Sequence, residues 1–479
     1  MARYLTTTLP YVNADPHVGH ALEFVQADFL ARLWRAQGED VFFSTGTDEH
    51  GQKIFEAAQK AGQEVQAYVD RYAAEFKKLP QALDLSNDAF IRTTDETHVR
   101  AAEEMWRRCT SAGDIYKKAY EGLYCVGCEK FLTEKELVEG KCGVHGTEPV
   151  LLKEENYFFR FSKYQQSLLE YLARPDCIIP DWRREEAIAF VKDGLEDFSI
   201  SRESARLSWG IPVPGDTAQV MYVWFDALTN YISTLGWPTD EKGNFQKFWM
   251  EGKTLQMAGK DQVRFQSLMW QAMLLSAGIK NTDQVFYHGF ITSGGQKMSK
   301  SLGNVLNPFD LIEAYGADAL RYTLLRHVSP FDDSDITEET IREHYTAHLT
   351  NGLGNLVARV MKLAEDYLPH SVELTLADER LDPTFIEKVN TFRFNEAMDL
   401  VFEKVAAADS FMTEREPYKG IKSGDAVERE EAKKNIEDLV HRLANIGVHL
   451  ASAMPRTAAA IASAIRKNQK PENLFPRLA

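Results

Sequence analysis

No run of apolar residues in this 479-residue chain approaches the roughly 18 that a bilayer crossing needs. The N-terminus also lacks the apolar core of an export signal, because Thr6, Thr7, Thr8, Asn13, Asp15 and His17 interrupt it. Cysteine is scarce. There are five, and without an export signal they do not imply disulfides. A cytoplasmic chain with no membrane partner is expected. Internal repeats and low-complexity segments are absent. Basic residues are outnumbered, 55 Lys and Arg against 71 Asp and Glu, for a net charge of −16. That balance argues against a general nucleic-acid binder. The deficit is uneven, since residues 341–479 hold 19 basic against 21 acidic residues. Beyond residue 441, Arg442, Arg456, Arg466, Lys467, Lys470 and Arg477 are opposed by Glu472 alone. A solvated helix face is the commoner source of such a bias.

What is present is organised around the first fifty residues. Arg3 to Leu9 is rich in β-branched residues and reads as a strand. Leu22, Val25, Phe29, Leu33 and Trp34 then recur at helical spacing through Gln37, and Val41-Phe42-Phe43 reads as a second strand. Strand, turn, helix and strand make a βαβ unit of a parallel sheet. The turn is His17-Val18-Gly19-His20. A helix start presents free N–H groups and a positive dipole end to an anion. Gly19 admits a flat ligand near the backbone, and the two histidines add donors.

Helical stretches follow, Ile54 to Ala61 and Gln63 to Leu79, and Thr93 with Glu96 forms a capping box for the helix through Trp106. Residues 115–220 turn to short strands, prolines and clustered cysteines, an insertion between two halves of one parallel-sheet domain. Val220 to Phe225 returns as an apolar strand. Leu255 to Ala258 is a further strand, Val263 to Ala277 a helix, and Val285 to Ile291 the last strand. Past Leu302 the texture is helical. Leu349, Leu353, Leu356, Val360 and Leu363 mark one amphipathic helix, and Phe385 through Val405 another. The expected architecture is α/β, a Rossmann-like parallel-sheet domain split by an insertion and followed by an α-helical bundle. Its boundaries are residues 1–114, 115–220, 221–292, 293–344 and 345–479.

After the last strand comes Ser293-Gly294-Gly295-Gln296-Lys297-Met298-Ser299-Lys300-Ser301. Two lysines three apart supply compact charges for phosphate oxygens. A surface loop with two lysines is unremarked by itself. Paired with His17-Val18-Gly19-His20 at the carboxyl end of the same predicted sheet, it marks a ligand crevice. A P-loop does not compete, because Gly252-Lys253-Thr254 matches only that motif's tail.

This pair of loops resembles the HIGH and KMSKS signatures of class I aminoacyl-tRNA synthetases. Thr8-Leu9-Pro10-Tyr11-Val12-Asn13, Gly46-Thr47-Asp48-Glu49-His50-Gly51, Trp224-Phe225-Asp226-Ala227 and Gly259-Lys260-Asp261 narrow the resemblance to the methionyl-tRNA synthetase family, over residues 3 to about 450. The resemblance implies that L-methionine is activated with ATP and its accompanying Mg2+, then transferred to the terminal ribose of tRNA(Met). It implies phosphate donors at His17 and His20 and pyrophosphate contacts at Lys297 and Lys300. Gly19, Gly259 and Asp261 match positions around adenosine. Asp48 would take the ammonium of methionine. Leu9, Tyr11, Trp224, Ala227 and Tyr231 would surround its thioether. Gln262 and Gln266 stand where the family usually carries Ile and His. Asn355 and Arg359 match residues that read the CAU anticodon, and Tyr418 falls where the family often has tryptophan. The chain ends without the extra tRNA-binding domain of some members, so a monomer is expected. A small-molecule nucleotidyl transferase and a non-catalytic RNA-binding relative are the competing readings.

Cys125-Val126-Gly127-Cys128 and Cys142-Gly143-Val144-His145 are two knuckles separated by 13 residues. Three thiolates and an imidazole suit tetrahedral zinc, one per chain, structural because four protein ligands leave no open position. The insertion resembles the family's connective peptide, and at about 105 residues it is too short for a large editing domain.

Overall fold

The computed structural model describes residues 1–128, 130–132, 136–298 and 303–478, with the side chains of Tyr120, Lys130, Glu154 and Lys297 left aside. The chain divides into two compact units that do not follow its linear order. One comprises Met1–Pro16, Gly38–Lys78 and Asn87–His288; the other His17–Gln37, Leu79–Ser86 and Gly289 onward.

The first unit is built on a six-stranded parallel sheet. Its order is Ala89–Arg92, β2 (Asp40–Thr47), β1 (Ala2–Thr6), Lys253–Gly259, Gln284–His288 and Ile178–Ile179. The strand order reverses between β1 and Lys253–Gly259, and ligands of such sheets bind beyond the carboxyl ends at that switch point. β1 stops at Thr6 rather than Leu9; Pro10 has no N–H to give a ladder, and the chain makes only a single bridge onward, Tyr11 with Asp48. Ile178–Ile179, from within residues 115–220, adds the far edge strand of the sheet. Val220 to Phe225 is not one strand. Asp216–Met221 pairs in a small antiparallel sheet with Ser201–Glu203 and Pro212–Val213, and Val223–Ala227 is helical. A short apolar run has no periodicity to separate the two states. The helix after Thr93 begins at Glu96 with Asp95 as its N-cap, and the Thr93 hydroxyl instead accepts from Glu49 N at 2.9 Å. A buried aromatic group of Tyr4, Trp249 and Trp270 packs edge-on at 6.0 Å spacings beneath the sheet's centre.

The second unit is helical. α1 (Val18–Ala36) is the helix its spacing indicated, and it is buried on nearly every side, including Glu23, Gln26 and Asp28. Phe29 meets Phe385 and Phe394 at ring distances of 6.1 and 5.8 Å, and Trp34 Nε1 donates to Asn390 Oδ1 at 2.8 Å. Asp28 is the polar hub of this packing. Its Oδ1 accepts from Ser86 N and Oγ at 2.7 and 2.6 Å, and its Oδ2 meets Arg32 at 2.7 Å and Arg321 at 2.8 Å. Arg321, wholly buried, also donates to the carbonyls of Ala453, Ser452 and Leu83. Leu349 and Leu353 lie in a π-helical stretch, Tyr345–Gly354, that continues as Asn355–Tyr367. The predicted helix over Phe385 to Val405 is two, Pro383–Asn390 and Phe394–Arg415, broken where Phe392 takes φ +61°. No helix among the described residues is long and apolar enough to cross a membrane.

Candidate functional site

The two histidines cap α1 reciprocally. His17 is its N-cap, and its Nδ1 accepts from Gly19 N at 3.1 Å; His20 Nδ1 accepts from His17 N at 3.1 Å. The rings stack at 3.8 Å. A backbone N–H can only donate, so each Nδ1 is unprotonated and each neutral ring carries its proton on Nε2. Burial, with His17 as a second titrating ring alongside, holds the His20 imidazole well below its ordinary pKa. The pair is thus a set of neutral, fixed donors. A Cβ on Gly19 would come within 2.9 Å of the His17 ring, so the tight turn demands glycine there, and it would lie 3.9 Å from Met298 Cε. Val18 N donates to Leu306 O at 3.0 Å, which ties the same turn to the segment after the lysine loop. Lys297 ends a two-residue strand, Gln296–Lys297, paired with Ile291–Ser293. Lys300 lies outside the described residues.

In the first unit, the carboxyl ends at the switch point carry the other predicted residues. Asp48 is 3% exposed, and its backbone pairs with Pro10 O and Val12 N at 2.9 and 3.2 Å. That holds Leu9 and Tyr11, both half-buried, beside it. The next residue, Glu49, is fully buried and accepts from Arg92 at 2.6 and 2.8 Å, from Thr47 at 2.7 Å and from Thr94 at 2.6 Å, so the loop has little freedom. Trp224 stacks on Phe265 at 3.9 Å. Ala227 and Tyr231 are buried. Gln266, also buried, donates from Nε2 to the Tyr231 hydroxyl, while its Oε1 has no hydrogen-bond partner among the described residues. The amide of Gln262 instead donates to Asp261 Oδ2 at 3.0 Å. Gly259 ends its strand, and Asp261 follows in the turn Lys260–Gln262.

Sequence reasoning passed over the polar residues behind these. Asp226, with no exposed surface, accepts from His50 Nδ1 and His98 Nε2, both at 2.8 Å, and His98 Nδ1 meets Ser233 Oγ at 2.9 Å. Burial alone would raise the Asp226 pKa, but the two imidazoles hold it below the ordinary carboxylate value. His50 and Asp226 both lie within the sequence motifs, but nothing local pairs positions so far apart.

The donor atoms of Cys125, Cys128, Cys142 and His145 all lie within 4.8 Å of one another. Cys128 and Cys142 sulfurs are 3.5 Å apart, and His145 Nδ1 is 3.2 Å from Cys128 and 3.9 Å from Cys125 and Cys142. Tetrahedral zinc with Zn–S near 2.3 Å sets sulfurs roughly 3.8 Å apart, so the donor set fits the ion in number, type and spacing. A Cβ on Gly127 would lie 2.7 Å from the His145 ring, so a side chain there would displace this ligand.

On the helical unit, Asn355 is exposed at the start of Asn355–Tyr367, and Arg359 pairs with Asp409 at 3.0 Å. Tyr418, in the short helix Pro417–Gly420, is half-buried and donates to Glu416 Oε1 at 3.3 Å.

Comparison with known proteins decides the family. The family model of class I tRNA synthetases (M) matches residues 3–144 and 134–361. The chain is 42% identical to a methionine–tRNA ligase of Thermosynechococcus vestitus, over 95% of this chain and 88% of that one. The chain belongs to the methionyl-tRNA synthetase family. It is also 39% identical to the methionine–tRNA ligase of Fusobacterium nucleatum, over 98% of this chain and 75% of that one. In structure it is similar to Mycobacterium tuberculosis methionyl-tRNA synthetase bound by methionyl-adenylate, with TM-score 0.90, 36% identity and 99% of each chain covered. The parallel sheet, the cysteine knuckle and the helical C-terminal region are thus those of this family.

Proposed function

We propose that this chain joins L-methionine to ATP, releasing pyrophosphate, and passes the methionyl group from the adenylate to the 3′-terminal ribose of tRNA(Met). The methionine carboxylate attacks the α-phosphorus in line, and the bond to the bridging oxygen of pyrophosphate breaks. Such a displacement asks the protein mainly to position reactants and to meet charge as it develops. His17 and His20 donate Nε2–H to the phosphate oxygens. Being neutral and held by the backbone, they need no reorganisation when the charge arrives. Lys297 and Lys300 hold the departing pyrophosphate, which enters with ATP as a Mg2+ complex. Gly259 leaves room for adenosine, and Asp261 accepts from ribose hydroxyls.

Asp48 takes the methionine ammonium. Leu9, Tyr11, Trp224, Ala227 and Tyr231 line the thioether, which packs well at aromatic edges. Gln266 holds the Tyr231 hydroxyl from behind, and Gln262 acts through Asp261. Cys125, Cys128, Cys142 and His145 hold one zinc ion, which cross-links the knuckle and takes no part in the chemistry. Asn355 and Arg359 read the CAU anticodon and Tyr418 stacks on one of its bases; Arg359 exchanges Asp409 for the base edge.

The observation that supports this reading most is the imidazole pair at the start of α1, whose ring protons are both fixed at Nε2 by backbone donors. The test is methionine-dependent ATP–pyrophosphate exchange, followed by charging of tRNA(Met).

A further inference from the structure

Three separate segments carry the residues assigned above to methionine, and one buried carboxylate touches or reaches all three. His50 is two residues past Asp48, Asp226 lies between Trp224 and Ala227, and Ser233 is two residues past Tyr231. The hydrogen-bond chain from His50 through Asp226 and His98 to Ser233 links these segments at 2.8, 2.8 and 2.9 Å, wholly inside the first unit. A carboxylate accepts at both oxygens at once, which no neutral side chain of its size does. We propose that Asp226 is a positioning residue for methionine: by clamping His50 and His98 it fixes the spacing between the Asp48 loop, the Trp224 helix and the short Tyr231 helix, Asn230–Ser233. The proposal rests on the assignment of Asp48, Trp224 and Tyr231 to methionine. Asp226 itself faces the two imidazoles and not the substrate.

The tautomers make the proposal specific. With Asp226 ionised, His98 donates from Nε2, and its Nδ1 accepts from the Ser233 hydroxyl. Asparagine offers one acceptor and one donor, so one imidazole must turn its proton round. His98 can do so, because Ser233 Oγ can accept from Nδ1–H and pass its own proton to Asn230 O, 3.4 Å away. His50 can do so too, by accepting at Nδ1 and carrying its proton on Nε2. Asp226→Asn therefore keeps the clamp closed.

The experiment measures KM for methionine and for ATP in pyrophosphate exchange, with melting temperature, on Asp226→Ala, Asp226→Asn and His98→Ala. A misplacement of about 1 Å costs on the order of a hundredfold in rate or affinity terms. Asp226→Ala should raise KM for methionine at least about tenfold and leave KM for ATP within about twofold. Asp226→Asn should restore most of the methionine KM. If Asp226→Ala does not fold, His98→Ala, which removes one arm of the clamp, carries the same comparison. A loss of melting temperature with both KM values unchanged, or an Asn variant with methionine KM as high as that of the Ala variant, overturns the clamp. Asp48→Asn separates the two levels of the argument. Should it leave methionine KM unchanged while Asp226→Ala raises it, the assignment of Asp48 fails and the clamp stands on the other two segments. Should Asp48→Asn raise it while Asp226→Ala does not, the clamp fails and the assignment stands.

Discussion

Replacing His20 separates two things that its ring does at once. Its Nδ1 accepts from His17 N at 3.1 Å, closing the cap of α1, and its Nε2–H is the donor assigned to phosphate. His20→Ala removes both. Loss of a capping side chain costs about 1 kcal/mol of stability. Loss of one preorganised donor to developing negative charge costs about 3–4 kcal/mol of transition-state stabilisation, a hundredfold to a thousandfold in kcat. Glutamine is the ordinary residue at this third helical position of a capping box, because its carbonyl reaches back to the N-cap N–H. His20→Gln should therefore keep the wild-type melting temperature while kcat remains depressed close to the Ala level. Because burial and His17 hold the His20 pKa well down, protonating it would also force Nδ1 to face a backbone donor. Lowering the pH from 8 toward 6 should thus produce no inflection that disappears in His20→Gln. Single-turnover adenylate formation across that range, beside thermal melts, reads all of this. A His20→Gln enzyme with wild-type kcat would show that the ring serves only as a cap, and the donor role would fall.

Elemental analysis should find one zinc per chain, and Cys128→Ala should lose it, since Cys128 sits 3.5 Å from Cys142 Sγ and 3.2 Å from His145 Nδ1; full retention of zinc in that variant would remove Cys128 from the ligand set. Arg321→Met should lower stability by about 3–5 kcal/mol in urea melts, because Asp28 is left buried with one arginine fewer. Burial would raise the Asp28 pKa, but Arg321, Arg32 and the hydrogen bonds from Ser86 together outweigh it, so its folded value lies below its unfolded one. The stability that this carboxylate contributes is complete above the unfolded value of about 3.9 and is lost as pH falls through the folded value. In Arg321→Met that acid-dependent loss should shrink, and melts with the same pH slope as wild type would contradict the pairing.

The start of α1 was legible because its determinants are local, with His17, Gly19 and His20 lying within four residues. The N–H groups expected to stay free there are instead taken, those of His17 and Gly19 by the two imidazoles and that of Val18 by Leu306 O. The knuckle was legible because it too is local, two short ligand pairs with fixed internal spacing. The clamp was not, because His50 and His98 stand 176 and 128 positions from Asp226, and only the folded sheet brings them together. Val220 to Phe225 was misread as one strand because composition alone does not divide an apolar run between Met221, where the small sheet ends, and Val223, where a helix begins. α1 was legible as a helix from its apolar spacing, but not the burial of Asp28 within it against Arg321, a partner 293 positions away that periodicity has no means to announce.

Which amino acid the enzyme activates is the most direct measurement. Wild-type protein incubated with ATP, Mg2+ and labelled pyrophosphate, once with each of the twenty amino acids, should exchange label into ATP rapidly with methionine alone. Rapid exchange with a different amino acid, or none with methionine, would contradict the assignment to methionine.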